Sequence, residues 1–207
     1  FRHWNDWRDA RRNHVFVVAP AGGAPRDLTP GPHDAPPIDL GGTPDYAFSP
    51  DSKTLAYIAN TDPVVAISTN NDLFEIPVAG GPARRLTSNQ GNDSTPRYSP
   101  DGKRLAYLSM QRPGFEADRP RLLVRDRQSG QVREWGRPFD EHPASLHWGA
   151  DSKSLFFPAD YHGHLEIFVA RKQGFRQLTR GVFAKALDVA ASGKLLAFAG
   201  EASDRAP

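Results

Sequence analysis

Two interleaved phrases, each returning four times, predict an all-β chain: a β-propeller segment of four-stranded antiparallel blades, three complete and two partial, one at each end. The first phrase is Phe48-Ser-Pro-Asp-Ser-Lys-Thr-Leu-Ala-Tyr57, then Tyr98-Ser-Pro-Asp-Gly-Lys-Arg-Leu-Ala-Tyr107, Trp148-Gly-Ala-Asp-Ser-Lys-Ser-Leu-Phe-Phe157 and a worn copy from Val189 to Phe198. The copies start at 48, 98, 148 and 189, a spacing that suits one blade each. The second phrase runs from His14 to Thr29, Asp72 to Thr87, Arg121 to Trp135 and Glu166 to Thr179.

The first phrase supplies two strands and the turn between them. Pro presets φ, Asp bonds its own backbone, and Gly or Ser follows where φ becomes positive. The second phrase supplies two more strands, turning at Gly-Gly or Ser-Gly. Residues 44–87, 94–136 and 144–179 then read as whole blades, 1–29 as the outer half of one and 184–199 as the inner half of another. Apolar alternation expects Leu55, Tyr57, Leu105, Tyr107, Leu155 and Phe157 to pack between neighbouring sheets. A propeller hides its edges by closing, and these blades cannot close alone. Together with the absence of an initiator Met before Phe1, this leads us to expect a propeller domain belonging to a longer protein.

Composition narrows the function classes. Gly and Pro number 18 and 19 in 207 residues, which favours turns and strands over helices. With no Cys, disulfides, thiolate metal sites and Cys nucleophiles are excluded. No apolar run approaches the roughly 18 residues of a membrane span, so no membrane partner is expected. The 26 basic and 24 acidic residues are mixed along the chain. Only Arg8-Asp-Ala-Arg-Arg12 clusters, too little for a phosphate-binding face, and no nucleic acid partner is expected.

Catalytic signatures are missing. There is no Gly-x-Ser-x-Gly elbow, no phosphate-cradling Gly-x-x-x-x-Gly-Lys-Ser/Thr, no Gly-x-Gly-x-x-Gly and no His-Glu-x-x-His, so no catalytic residue and no cofactor is assigned. Ser49 with Asp51 and Ser99 with Asp101 recur with the repeat and read as turn chemistry. In Asp160-Tyr-His-Gly-His164, His162 and His164 are two apart, as paired metal ligands on an extended segment would be. The segment falls at the turn between the second and third strands of its blade, so polar loop residues are the stronger reading and no metal is assigned.

The connections between strands carry more information. Turns between strands one and two, and three and four, are tight. The connections that share the opposite face are long: Pro30 to Thr43, Ile58 to Asn71, Ser88 to Asp93, Leu108 to Pro120 and Gly136 to Pro143. Insertions confined to one face of a repeat array mark the face that binds something. Its richest loop is Met110 to Arg119, where Pro113-Gly114 enforces a turn and Phe115 is expected to anchor the rim. Glu116 and Asp118 offer acceptors there and Arg119 a planar fork of donors, making these three the candidate substrate-binding residues.

The first phrase combined with Asp72-Leu-Phe and the Gly80-Gly81 to Arg85-Leu-Thr run resembles the repeats shared by prolyl oligopeptidase family and TolB-like propellers. More specific are Arg2-His-Trp-Asn-Asp-Trp7 leading to His14-Val-Phe-Val, Ser68-Thr-Asn-Asn-Asp-Leu-Phe74, and Arg112-Pro-Gly-Phe-Glu-Ala-Asp-Arg119 before Leu122-Leu-Val-Arg-Asp126. These are similar to the acylaminoacyl-peptidase and dipeptidyl-peptidase branch, and the similarity runs to about Thr179. It implies an N-terminal propeller followed by an α/β-hydrolase domain that carries Ser, Asp and His, with a peptide as substrate. The propeller would then restrict access and hold the substrate's N-terminus, with Glu116 or Asp118 as the group facing the α-ammonium. A non-enzymatic TolB-like module that docks another protein is the alternative.

Overall fold

The computed structural model describes residues 11–38 and 45–201. The aromatic opening from Phe1 to Trp7 and the first three residues of the basic stretch, Arg8 to Ala10, lie outside them, as do 39–44.

Each repeat folds as its pattern requires. Strands β1 (Phe16–Val17) and β2 (Arg26–Asp27) form a two-stranded antiparallel sheet. Strands β3 (Tyr46–Phe48), β4 (Thr54–Asn60), β5 (Asn71–Pro77) and β6 (Arg84–Arg85) form a four-stranded sheet in chain order. The next sheet holds β7 (Asp93–Tyr98), β8 (Arg104–Ser109), β9 (Arg121–Asp126) and β10 (Val132–Glu134). Strands β11 (His147–Trp148), β12 (Leu155–Tyr161), β13 (His164–Arg171) and β14 (Gly174–Gln177) repeat the order, and β15 (Phe183–Val189) and β16 (Leu196–Glu201) follow as a hairpin that joins the same sheet through one parallel pair, Leu165 of β13 with Phe183 of β15. The sole helical element among the described residues is a 3-10 turn at Val65–Ile67. The protein is thus a β-propeller segment with three complete blades and partial ones at both ends.

By contact density the chain divides into two compact units, Phe1–Pro96 with Met110–Asp118, and Arg97–Ser109 with Arg119–Pro207. In the first, Leu55, Tyr57 and Ala59 on one face of β4 pack with Ile76 against Val15 and Leu28 of the outer hairpin. In the second, Ala106, Leu108, Leu122 and Val124 meet Leu155, Phe157, Phe168 and Ala170 of the following blade. Leu105 and Tyr107 are buried at the corresponding places in β8. Each large side chain buried in this way contributes about 1.5–3 kcal/mol.

The tight turns close on themselves. Ser49 Oγ donates to Asp51 Oδ1 at 2.6 Å and Ser99 Oγ to Asp101 Oδ1 at 2.6 Å, so these pairs hold turns. In the third copy Gly149 replaces that serine, and Ser154 Oγ, five residues on, donates to Asp151 Oδ2 at 2.9 Å instead. Ser52, Gly102, Ser152 and Gly193 occupy the same turn position with φ of 57°, 67°, 53° and 68°. The worn fourth copy therefore keeps its turn after losing Ser-Pro-Asp, because Gly193 accepts the left-handed conformation.

A second recurring device ties the outer strand of a blade to its neighbour. Thr29, Thr87 and Thr179, each closing a second phrase, use Oγ1 to accept the backbone N–H of Val15, Leu73 and Ile167, all at 2.9 Å. Thr179 Oγ1 also donates to Glu166 Oε2 at 2.6 Å, and Gly181 N donates to Glu166 Oε1 at 2.5 Å. Glu166 is 2% exposed, so its carboxylate relies on those donors. Thr179→Val should lower unfolding free energy by about 1–3 kcal/mol in a denaturant titration, with Thr179→Ser restoring most of it. A valine variant as stable as the parent would show that the clamp is dispensable.

Candidate functional site

Three connections on the long-loop side belong to the first unit: 61–70 between β4 and β5, 88–92 before β7, and 110–118 after β8. Each folds around its own side chains. In the first, Asp62 N donates to Asn60 Oδ1 at 3.0 Å, Ser68 Oγ to Asp62 Oδ2 at 2.6 Å and Asn70 Nδ2 to Asp62 Oδ1 at 2.9 Å. Hydrogen bonds from Ser68 and Asn70 hold the Asp62 carboxyl below its usual range. The crest of this loop presents Val64 and Ile67 to solvent, the latter 83% exposed.

The loop 110–118 is organised by Asp118. Its Oδ2 accepts the backbone N–H of Gln111 at 2.7 Å and of Arg112 at 2.8 Å, while Oδ1 accepts Arg112 Nε at 2.7 Å. The guanidinium of Arg112 lies 4.2 Å over the Phe115 ring. Gly114 takes φ 70°, completing the turn that Pro113-Gly114 announced. Asp118 is only 6% exposed, whereas Glu116 stands at the exposed crest. Phe115 is 43% exposed, which corrects its expected role as a rim anchor: it packs beneath Arg112 within the loop.

The loops are joined to one another. Gly114 N donates to Thr69 Oγ1 at 2.8 Å, and Asn71 Nδ2 to Asn92 Oδ1 at 2.7 Å. Met110 N donates to Asn92 O at 2.8 Å. Gly91 is required by close approach, since a Cβ there would lie 2.2 Å from Met110 O. Thr69, Gly91 and Arg112 were not singled out from the sequence. Their partners lie 45, 19 and 6 residues away, and no local pattern signals such pairs.

Arg119 serves the second unit. Its Nη1 donates to Phe139 O at 2.6 Å and its Nη2 is 3.6 Å from Glu134, which also accepts from Arg137 Nε at 2.9 Å. Glu116, Asp118 and Arg119 thus have three different settings: an exposed crest, a buried hub and a backbone clasp. His162 and Gly163 form a two-residue hairpin turn with φ 49° and 79°, and His164 follows it, paired to Tyr161 across the hairpin. The fourth-blade connection is therefore short, unlike the other strand-two to strand-three loops. At its long-loop end the first unit presents a carboxylate at Glu116, the outer edge of the Arg112 guanidinium, and the apolar Val64 and Ile67.

Backbone N–H donation from Arg112, then the Arg112 side chain and the Gln111 N–H, hold the Asp118 carboxyl well below the usual carboxylate range. A carboxylate lowered on folding stabilises its loop above the unfolded pKa of about 4, and that stabilisation fades as pH falls below it. With selective 15N labelling, the Gln111 and Arg112 amide resonances should stay in place from pH 7 to about 4 and move only in stronger acid. A midpoint near the ordinary aspartate value would mean that these hydrogen bonds do not persist.

No protein-family model matches the chain. Over 190 residues, 87% of its length, it is 30% identical to dipeptidyl-peptidase 5 of Porphyromonas gingivalis, and it spans 28% of that protein. Its fold is that of the putative TolB of Agrobacterium tumefaciens, with TM-score 0.70 and 18% identity over 94% of this chain and 65% of that one. It likewise matches a puromycin-hydrolyzing peptidase of Mycobacterium tuberculosis, with TM-score 0.69 and 18% identity over 91% of this chain and 32% of that one. The two structural likenesses carry the fold, and the identity to dipeptidyl-peptidase 5, together with the repeat and loop motifs, makes the chain similar to the propellers of prolyl oligopeptidase family peptidases.

Proposed function

We propose that the chain is the substrate-gating and substrate-recognition propeller of a serine exopeptidase, working over an α/β-hydrolase domain carried elsewhere in a longer protein. Similarity to dipeptidyl-peptidase 5 along 87% of the chain supports a peptide substrate, and the 28% span of that relative leaves room for a separate catalytic domain. Serine attack, proton transfer by His and orientation by Asp would belong to that domain. The propeller would admit short or unfolded peptides and hold their N-termini.

The observation that carries the reading is the division of labour in the loop 110–118. Asp118 spends its acceptors on Gln111 and Arg112, which fixes the loop and lifts Glu116 to its exposed crest. Glu116 is then the carboxylate offered to a substrate α-ammonium, with Asp118 as its positioning residue, while Arg119 is engaged within the second unit by Phe139 and Glu134. An ammonium–carboxylate hydrogen bond in a site shielded by the second domain is worth about 1.5–3 kcal/mol.

In the whole protein, Glu116→Gln should reduce kcat/KM on a free-amine peptide by about ten- to 150-fold and leave the N-acylated version of that peptide nearly unchanged. Asp118→Asn should impair both, since it acts through loop geometry. Equal effects of Glu116→Gln on the two substrates would remove the ammonium role from that residue.

A further inference from the structure

A cavity of about 240 Å³ lies in the second unit, at the tight-turn side of the β7–β10 sheet and away from the loops described above. Val124 and Trp135 line it together with Arg104, Arg133, Lys172 and Asp126. Trp135 is 7% exposed and set edge-on to Trp148 with centroids 5.5 Å apart, so the apolar lining is rigid. Three cations line it with one carboxylate, and the Asp101 carboxylate beside Arg104 leaves a local excess of one positive charge.

The position of each charge is explained by its partners. Arg104 Nη1 donates to Ser152 O at 2.9 Å and lies 3.7 Å from Asp101, which fixes its place at the start of β8. Asp126 Oδ1 accepts Ser129 N at 2.8 Å, Ser129 Oγ at 2.9 Å and Gln128 N at 3.1 Å. These bonds, with Ser129 first, keep its carboxyl below the usual range, so the carboxylate stays charged but has spent one oxygen on its own turn. Arg133 reaches only Gln131 Oε1, at 3.4 Å, and Lys172 makes no ion pair among the described residues. Holding like charges around a concave apolar floor raises local potential, because low-dielectric walls focus the field.

We infer that this cavity is a binding site for a small oxyanion, a phosphate or carboxylate group of a molecule small enough for the space, held by Arg133 and Lys172 against the fixed Arg104. The volume falls just below the usual range for drug-sized ligands, which suits an anion with few other atoms. Phosphate and carboxylate share the acceptor geometry a guanidinium fork prefers. The site is independent of the peptidase reading, because no residue of the loop 110–118 takes part.

The test is thermal unfolding of the whole protein in inorganic phosphate or in succinate, each against chloride at matched ionic strength to remove general screening. A saturable rise in Tm of a few degrees with phosphate alone identifies a phosphate site, with succinate alone a carboxylate site, and with both a general oxyanion site. Arg133→Gln and Lys172→Gln should each leave the ligand-free Tm unchanged and weaken the apparent Kd at least tenfold. A 19F resonance from 5-fluorotryptophan at position 135 should shift with the same midpoint in the unsubstituted protein. No saturable response to either anion, or a response in both variants equal to that of the unsubstituted protein, would overturn the inference.

Discussion

A four-stranded sheet of this length has two apolar faces and only its neighbours to cover them. That constraint sets the repeat spacing, the alternation in every β4-type strand and the placement of Leu55, Leu155 and their companions. The effect shows most clearly at the two partial blades. Phe198 stands where Tyr57, Tyr107 and Phe157 stand in the complete blades, yet in the two-stranded β15–β16 hairpin it is 41% exposed. Tyr46 and Phe48 on β3 are likewise 42% and 51% exposed, beside a blade that contributes β1 and β2 among the described residues. Burial here belongs to the array, as expected of a unit that cannot hide its own faces.

Once packing has fixed the sheets, the two ends of each blade have different freedom. Turns of the Ser-Pro-Asp-Gly/Ser-Lys type satisfy themselves through a serine–aspartate pair and one left-handed residue, and little can be inserted there. The opposite connections carry no such closed chemistry. Loops 61–70 and 110–118 are free to lengthen, and each has acquired an internal carboxylate hub, Asp62 in one and Asp118 in the other. The Gly114–Thr69 hydrogen bond then makes one surface of two insertions. A buried hub that accepts three N–H groups costs the loop little flexibility at its crest, which is why a binding group can sit at Glu116 while the fold is held by Asp118.

Most of the fold was legible in the sequence because it is written several times. The strand pairs, tight turns, antiparallel order and six interior positions follow from repetition and alternation, and even the worn last copy forms its hairpin through Gly193. The candidate loop was legible as an insertion, but the roles inside it were not. Nothing local distinguishes Glu116 from Asp118, two residues apart with the same charge, and only the fold brings Arg112 back over Phe115 and the Gln111 amide onto Asp118. The threonine clamps were visible as a recurring Leu-Thr, but their partners lie 12–14 residues away. Repetition reveals what every blade needs, whereas a feature that occurs in one blade alone depends on contacts distant in sequence.

The most direct test of the central claim, that the joined loops form the substrate-facing side of a peptidase propeller, is a crystal structure of the whole protein with a bound dipeptide. The account predicts that the dipeptide ammonium lies within hydrogen-bonding distance of the Glu116 carboxylate, with Asp118 still bonded to Gln111 and Arg112. A dipeptide seated with the loop 110–118 turned away from it, and its ammonium held by residues of the catalytic domain alone, would contradict it.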